Sequence, residues 1–305
     1  MTERMETEAK WTVRGKYVMI TGATSGIGLA AAKALAARGA ILGIVARNPA
    51  KAEEAVARIR EAAEGRDVTV DVFLADMASQ SSIRRAAEDI LGRWPRIDVL
   101  VNNAGAMFVT RKLTDDGQEM TWAVNHLGPF LLTKLLLDRL KESVSARVIT
   151  TASHGHKMAK KGIRFDDLTA KRLYSFPQSL LGGANFRYGE TKLANILFTA
   201  ELAKRLEGTG VSAYSFDPGL VSTNFNQDNG WLARMTMAVM RLFSRTPEKG
   251  AETLVWLADS DAVSGRSGGY YADLEEALPA ASARDAEAAK RLWEVSELQT
   301  RSFAR

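Results

Sequence analysis

Short apolar runs alternate with helix-length stretches along this chain, and that rhythm constrains its fold more than any other feature. Tyr17–Thr21, Ile41–Ala46, Val70–Ala75, Ile97–Val101, Arg147–Thr151 and Val211–Phe216 read as strands. Between them Ile27–Arg38, Ala50–Ala63, Ser81–Arg93, a long stretch from about Asp116 to Lys141, and Arg187–Leu206 read as helices. Strands that are apolar throughout, each followed by a helix, imply a parallel sheet covered on both faces, an α/β doubly wound architecture. With 305 residues, 46% of them hydrophobic, the chain can build one full core. The expected organisation is a polar N-terminal tail over residues 1–15 and a single domain over 16–305.

Composition removes several chemistries. There is no cysteine, so disulfides, thiolate metal sites and cysteine nucleophiles are excluded, and three histidines make a histidine-rich metal site unexpected. The net charge of +5 suits an anionic cofactor, but the basic residues are scattered among acids, so nucleic acid is not an expected partner. The first sixteen residues lack the apolar core of a signal peptide, and no run of about 18 apolar residues occurs, so no spanning helix is expected and a cytoplasmic location is read.

The segment Thr21-Gly22-Ala23-Thr24-Ser25-Gly26-Ile27-Gly28 follows the first strand and opens the first helix. Gly22 permits a tight turn, Gly26 admits a pyrophosphate close to the backbone, and Gly28 lets helix and strand approach. The helix start then offers free N–H groups and a positive dipole end to phosphates. A lone glycine pattern also occurs as an ordinary strand–helix turn; its place at the head of a βαβ array is what points to a dinucleotide.

Cofactor choice turns on the second strand. An NAD site usually places an acid about 20 residues past the glycine loop. Ile41 to Ala52 contains none, and Arg47 follows the strand end. A guanidinium there can pair bidentately with a 2′-phosphate, so NADP(H) is the expected cofactor, with Lys51 a second candidate. The bland alternative is a solvated arginine in a loop.

Tyr188 and Lys192 form a Y-x-x-x-K pair on one helix face. A free phenol, at about 10, is too weakly acidic for proton transfer at neutral pH, and a neighbouring ammonium favours phenolate. Ser153, at the end of the fifth strand, can hold a substrate oxygen beside Tyr188, or can simply cap local backbone. Asn125 precedes Pro129 by four residues, and a proline clashes with the carbonyl four before it, so the helix must open at Asn125. The freed carbonyl can hold a water that reaches Lys192.

The T-G-x-x-x-G-x-G spacing resembles the short-chain dehydrogenase/reductase family, which implies a Rossmann-type sheet and oxidoreductase chemistry. By that resemblance Asn125, Ser153, Tyr188 and Lys192 are the catalytic set. Asp76, with Met77, matches the position that touches the adenine. Asn103-Ala104-Gly105 resembles the turn beside the adenine ribose, and Pro218, Gly219, Val221 and Thr223 resemble the turn that holds the nicotinamide carboxamide. Val124–Thr133, Tyr188–Leu206 and the stretch near Leu292-Trp293 are most similar to the retinol dehydrogenase and WW-domain oxidoreductase-like branch. Unlike members of that branch that carry an N-terminal membrane anchor, this sequence is read with none expected, and its gap between Ser153 and Tyr188 is longer, with added residues at about 175–185.

The expected activity is interconversion of an alcohol and an aldehyde or ketone. A non-catalytic regulator of the same fold, or a C=C reductase, is the alternative. A lipophilic or aromatic substrate is expected because Trp231, Leu232, Met235, Met237, Val239, Met240, Leu242 and Phe243 crowd a stretch read as a lid over about 224–247. The same residues would also serve as core packing, as a homodimer contact, or, with Lys157, Lys160, Lys161 and Arg164, as a peripheral membrane face.

Overall fold

In the computed structural model, residues 10–64, 66–221 and 244–301 are described. Eight strands form one sheet in the order β3-β2-β1-β4-β5-β6-β7-β8. They are β1 (Tyr17–Thr21), β2 (Ile41–Ala46), β3 (Val70–Leu74), β4 (Val99–Asn102), β5 (Ala146–Thr151), β6 (Val211–Asp217), β7 (Tyr270–Ala272) and β8 (Glu275–Glu276). All pairings are parallel except the antiparallel β7–β8 edge.

Strand side chains alternate between faces, and two cores follow. Met19, Phe73, Leu100, Val148 and Ala213 pack on one face with helices α3 (Gln80–Arg93), α5 (Gly128–Lys141), α6 (Gly183–Arg205) and α8 (Ala286–Gln299). Ile20, Leu42, Ile44, Val101 and Ile149 pack on the other with α1 (Gly26–Ala37), α2 (Pro49–Ala62) and α7 (Pro247–Asp259). The chain leaves β1 in opposite directions along the sheet, so a crevice opens beyond the carboxyl ends of β1 and β4, where open α/β sheets take ligands.

Several expected boundaries shift. The long helix starts later than about Asp116, as a short α4 (Met120–Trp122) capped by the Glu119 carboxylate. A π-helical turn, Ala123–Leu127, then joins α4 to α5, with the Gly128 N–H donating to the Ala123 carbonyl. Pro129, with no N–H to give, sits at the start of α5, so the helix opens where its ring required. Helix α6 begins at Gly183 rather than Arg187, because Gly182 supplies a left-handed residue (φ 86°) before it.

The expected tail over residues 1–15 is docked at its end. Val13 is buried, the Trp11 indole donates to the Ala258 carbonyl at 2.7 Å, and the Arg147 guanidinium lies 4.1 Å over the Trp11 ring. These contacts tie Trp11 and Val13 to the end of α7 and the following turn. Of the expected lid, 224–243 lies outside the described residues, as does Thr223; Ser244 to Thr246 lead into α7. No described helix is long and apolar enough to cross a membrane, and no described group of acids and histidines has metal-binding geometry.

Candidate active site

A cleft of about 1110 Å³ lies over the carboxyl ends of the central strands. At one end is the glycine loop. Gly22 and Gly26 have φ of 70° and 54°, a region that side chains rarely enter. A Cβ on Gly28 would stand 2.4 Å from the Gly22 carbonyl oxygen and 2.5 Å from Asn103 Nδ2, so only glycine fits. Ser25 caps α1 without a side-chain hydrogen bond, and the first turn has no acid, which leaves its N–H groups and positive end facing the cleft. Thr24, Ser25, Gly26 and Ile27 line that end.

The loop is laced to the next strand. Thr21 Oγ1 accepts from the N–H groups of Asn103 and Ala104 at 2.9 and 3.0 Å and donates to the Val101 carbonyl. Asn103 Nδ2 donates back to the Thr21 carbonyl at 3.1 Å. Thr21 was legible only as the head of the glycine motif; its hydroxyl links β1 to β4.

Arg47 lies exposed at the cleft wall and has no hydrogen bond or ion pair among the described residues. Lys51 does not line the cleft; its backbone N–H instead meets the capping Asn48. Asp76 and Met77 do line it, with the Asp76 carboxylate accepting from the Ala78 N–H at 2.9 Å. These features fit a dinucleotide: a side-chain-free cradle, a helix start without a side-chain cap, and a cation at the cleft wall with no partner among the described residues.

The catalytic candidates converge at the other end. Ser153 follows β5 by two residues and caps a short turn by accepting from the Gly155 N–H at 3.1 Å. It lies beside Tyr188: a Cβ on Gly155 would stand 3.5 Å from Ser153 Oγ and 3.3 Å from the Tyr188 ring. Its carbonyl accepts from His156 Nδ1 at 2.7 Å, while His156 Nε2 accepts from the Ala280 N–H, which fixes the tautomer of this buried ring. Lys192 Nζ donates to the Thr151 carbonyl at 3.0 Å and lies 5.5 Å from the Tyr188 ring centroid. Asn125 is buried. Its side chain accepts from the Ala106 N–H at 2.7 Å and donates to the Ala106 carbonyl at 2.9 Å, matching the polar groups of one backbone residue. It also donates to Thr191 Oγ1 at 3.0 Å, on the catalytic helix. Gly105 packs between them: a Cβ there would lie 3.3 Å from Asn125 Oδ1 and 3.7 Å from Lys192 Nζ.

The electrostatics correct one expectation. The ammonium was expected to lower the Tyr188 pKa, but burial pushes the phenol up to about 12, against the pull of its Ser153 hydrogen bond. Burial also lowers Lys192 to about 8, and the nearby Asp217 carboxylate partly restores it. Two ionisable groups removed from water both favour their neutral forms, and their mutual help is small by comparison. His126 is packed in the core, where burial and the charge of Arg187 lower it to about 3.

Pro218, Gly219 and Val221 follow β6 along the remaining wall, and Val221 forms an isolated bridge with Arg245. Asp217, which sequence reasoning passed over as the head of this turn, is buried in the same wall.

The short chain dehydrogenase family model matches residues 16–164. Retinol dehydrogenase 12 of Mus musculus is 41% identical over 284 residues, covering 93% of this chain and 86% of that protein. The chain belongs to the short-chain dehydrogenase/reductase family. It falls in the retinol dehydrogenase branch, since retinol dehydrogenase 14 of Homo sapiens is also 40% identical, over 94% of this chain and 86% of that protein. Among solved structures, an uncharacterised protein from Mycobacterium paratuberculosis superposes with a TM-score of 0.72 at 31% identity, covering 96% of both chains. A 3-oxoacyl (acyl-carrier-protein) reductase from Agrobacterium tumefaciens, at 21% identity and a TM-score of 0.66 over 88% of this chain and 96% of that one, shares the fold. As a short-chain dehydrogenase/reductase the protein is an oxidoreductase of a family that uses NAD(P)(H).

Proposed function

We propose that this short-chain dehydrogenase/reductase is an NADP(H)-dependent enzyme that interconverts a lipophilic alcohol with its aldehyde or ketone. The observation that carries this reading is the convergence of the Ser153 and Tyr188 side chains around Gly155, with the Lys192 ammonium 5.5 Å from the Tyr188 ring, all in one cleft with the glycine loop. Bound NADP(H) supplies or accepts the hydride. Ser153 and Tyr188 hold the substrate oxygen between them. In the reducing direction the Tyr188 hydroxyl gives its proton to that oxygen; in the oxidising direction it takes the proton back. Lys192 offsets the charge left on the phenolate, and Asn125 fixes the Ala106 loop and, through Thr191, the helix that carries both residues.

Arg47 supports the choice of phosphate-bearing cofactor, because it lines the cleft with no partner among the described residues, where an NAD site usually has an acid. Met107, Phe108, Met158 and Leu220 line the cleft and support a lipophilic substrate, as do relatives named retinol dehydrogenases. Retinoid-like aldehydes are therefore the first class to try. The test is cofactor oxidation at 340 nm with NADPH and with NADH against aldehydes and ketones of graded length, retinal included. Turnover with NADPH that rises with apolar length is expected. Absence of turnover on every carbonyl would overturn the reading.

A further inference from the structure

Asp217 is a carboxylate in an unusual setting. It ends β6, is 7% exposed and lines the cleft. Its Oδ1 accepts from the Gly219 N–H at 2.9 Å and its Oδ2 from the Tyr270 hydroxyl at 3.1 Å. Neither donor is charged. The one cationic candidate within ion-pair distance among the described residues is the exposed His154, with Nδ1 3.9 Å from Oδ2. Arg245 feels the carboxylate but its guanidinium is engaged by Asp273. The Lys192 ammonium and the Tyr188 phenol both sense the Asp217 charge, the one stabilised by it and the other held protonated. A buried anion without a dedicated counter-ion is costly, and such groups are usually paired.

We infer that Asp217 is the charge partner of the nicotinamide ring in its oxidised, cationic form, and that it makes the site bind NADP+ in preference to NADPH. This rests on the functional reading above. Hydride transfer requires the ring within contact of a substrate carbon whose oxygen is held by Ser153 and Tyr188. The ring therefore shares the catalytic end of the cleft with Tyr188 and Lys192, the groups that the Asp217 charge reaches. The two cofactor forms differ at the ring by one positive charge. A fixed anion in a water-poor wall distinguishes them, whereas the glycine loop and Arg47 treat their shared phosphates alike.

Asp217→Asn tests this, because an amide keeps an acceptor for Gly219 and a polar partner for Tyr270 while removing the charge. NADP+ and NADPH are titrated separately into wild type and variant by calorimetry, without substrate. The ratio of dissociation constants, NADPH over NADP+, should fall by about tenfold in the variant. Equal changes for both forms, or none, would overturn the inference alone. A wild type that binds neither dinucleotide would overturn the functional reading and the inference with it. Asp217→Ser, also uncharged, must shift the ratio in the same direction and supplies the measurement should the amide variant fail to fold.

Discussion

Arg187 Nε meets Glu119 Oε2 at 2.8 Å, and both side chains are wholly withdrawn from water. The pair joins the residue just before Tyr188 to the cap of α4, the helix that leads into the Asn125 turn. Arg187 also reaches Glu190 at 3.1 Å, donates to the Leu168 carbonyl, and lies 4.7 Å over the Trp122 ring. Glu119 in turn accepts from the Thr121 and Trp122 N–H groups. Two catalytic segments distant in sequence are thus held by one buried cluster of charges.

Breaking that cluster should be expensive. Glu119→Ala leaves a buried guanidinium short of a partner, and such losses cost about 3–5 kcal/mol. The thermal midpoint should drop by roughly 10 °C, read by calorimetry. Replacing Arg187, Glu119 and Glu190 together with apolar residues should cost less than the single change. A single substitution worth under about 1 kcal/mol would mean that water already reaches the cluster.

Acid sensitivity should come partly from His126. Its folded pKa of about 3 lies below the ordinary 6.5, so below pH 6.5 the unfolded chain takes up a proton that the native state refuses. Stability should therefore be full above pH 6.5 and fall as pH drops toward 3, at a slope approaching about 1.36 kcal/mol per pH unit from this group. His126→Gln retains a partner for Ser296, 2.7 Å from the ring in the wild type. Urea midpoints at pH 6.5 and 4.5 should converge for wild type and variant as pH falls; parallel slopes would refute the role.

Turnover should depend on Tyr188 and Lys192 in different ways. Tyr188→Phe removes a proton donor and little else, so kcat should fall about 10²–10⁴-fold with NADPH affinity nearly kept. Lys192→Ala should damage both, since its ammonium stands inside the cleft at the Thr151 carbonyl. Because burial lowers Lys192 to about 8, the ammonium is lost as pH rises past that value, and kcat should decline there. Steady-state rates and calorimetric affinities decide; a Tyr188→Phe enzyme with near wild-type kcat would end this mechanism.

Cofactor preference should sit on Arg47. Loss of one charge-assisted contact costs about 1.5–3 kcal/mol, so Arg47→Ala should weaken NADPH by roughly tenfold or more and leave NADH nearly unchanged. Fluorescence titration of both cofactors measures this directly, and equal weakening of the two would remove Arg47 from the phosphate site.

The strands and the glycine loop were readable because their signals are local: period, a turn chemistry, four-residue spacing on a helix. The Glu119–Arg187–Glu190 cluster was not, since nothing in the sequence brings residue 119 to residue 187. Asp217 was visible as a letter, but that Arg245 turns to Asp273 and leaves only the exposed His154 within ion-pair distance among the described residues was not. The docking of Trp11 and Val13 did leave a trace, as they are apolar residues within a polar stretch. The early start of α6 left little, because Gly183-Ala184-Asn185-Phe186 has no apolar periodicity.

The π-helical turn at Ala123–Leu127 amounts to one surplus residue in an otherwise regular helix. Each residue turns an α-helix by about 100°, so deleting any one of these five would let the helix close up and swing its upstream half by that angle. Asn125 would then leave Ala106 and Thr191 even if the asparagine itself were spared. The site thus depends on a length as well as on identities: a chain could keep Asn125, Ser153, Tyr188 and Lys192 intact and still be disarmed by a frame slip within a single turn.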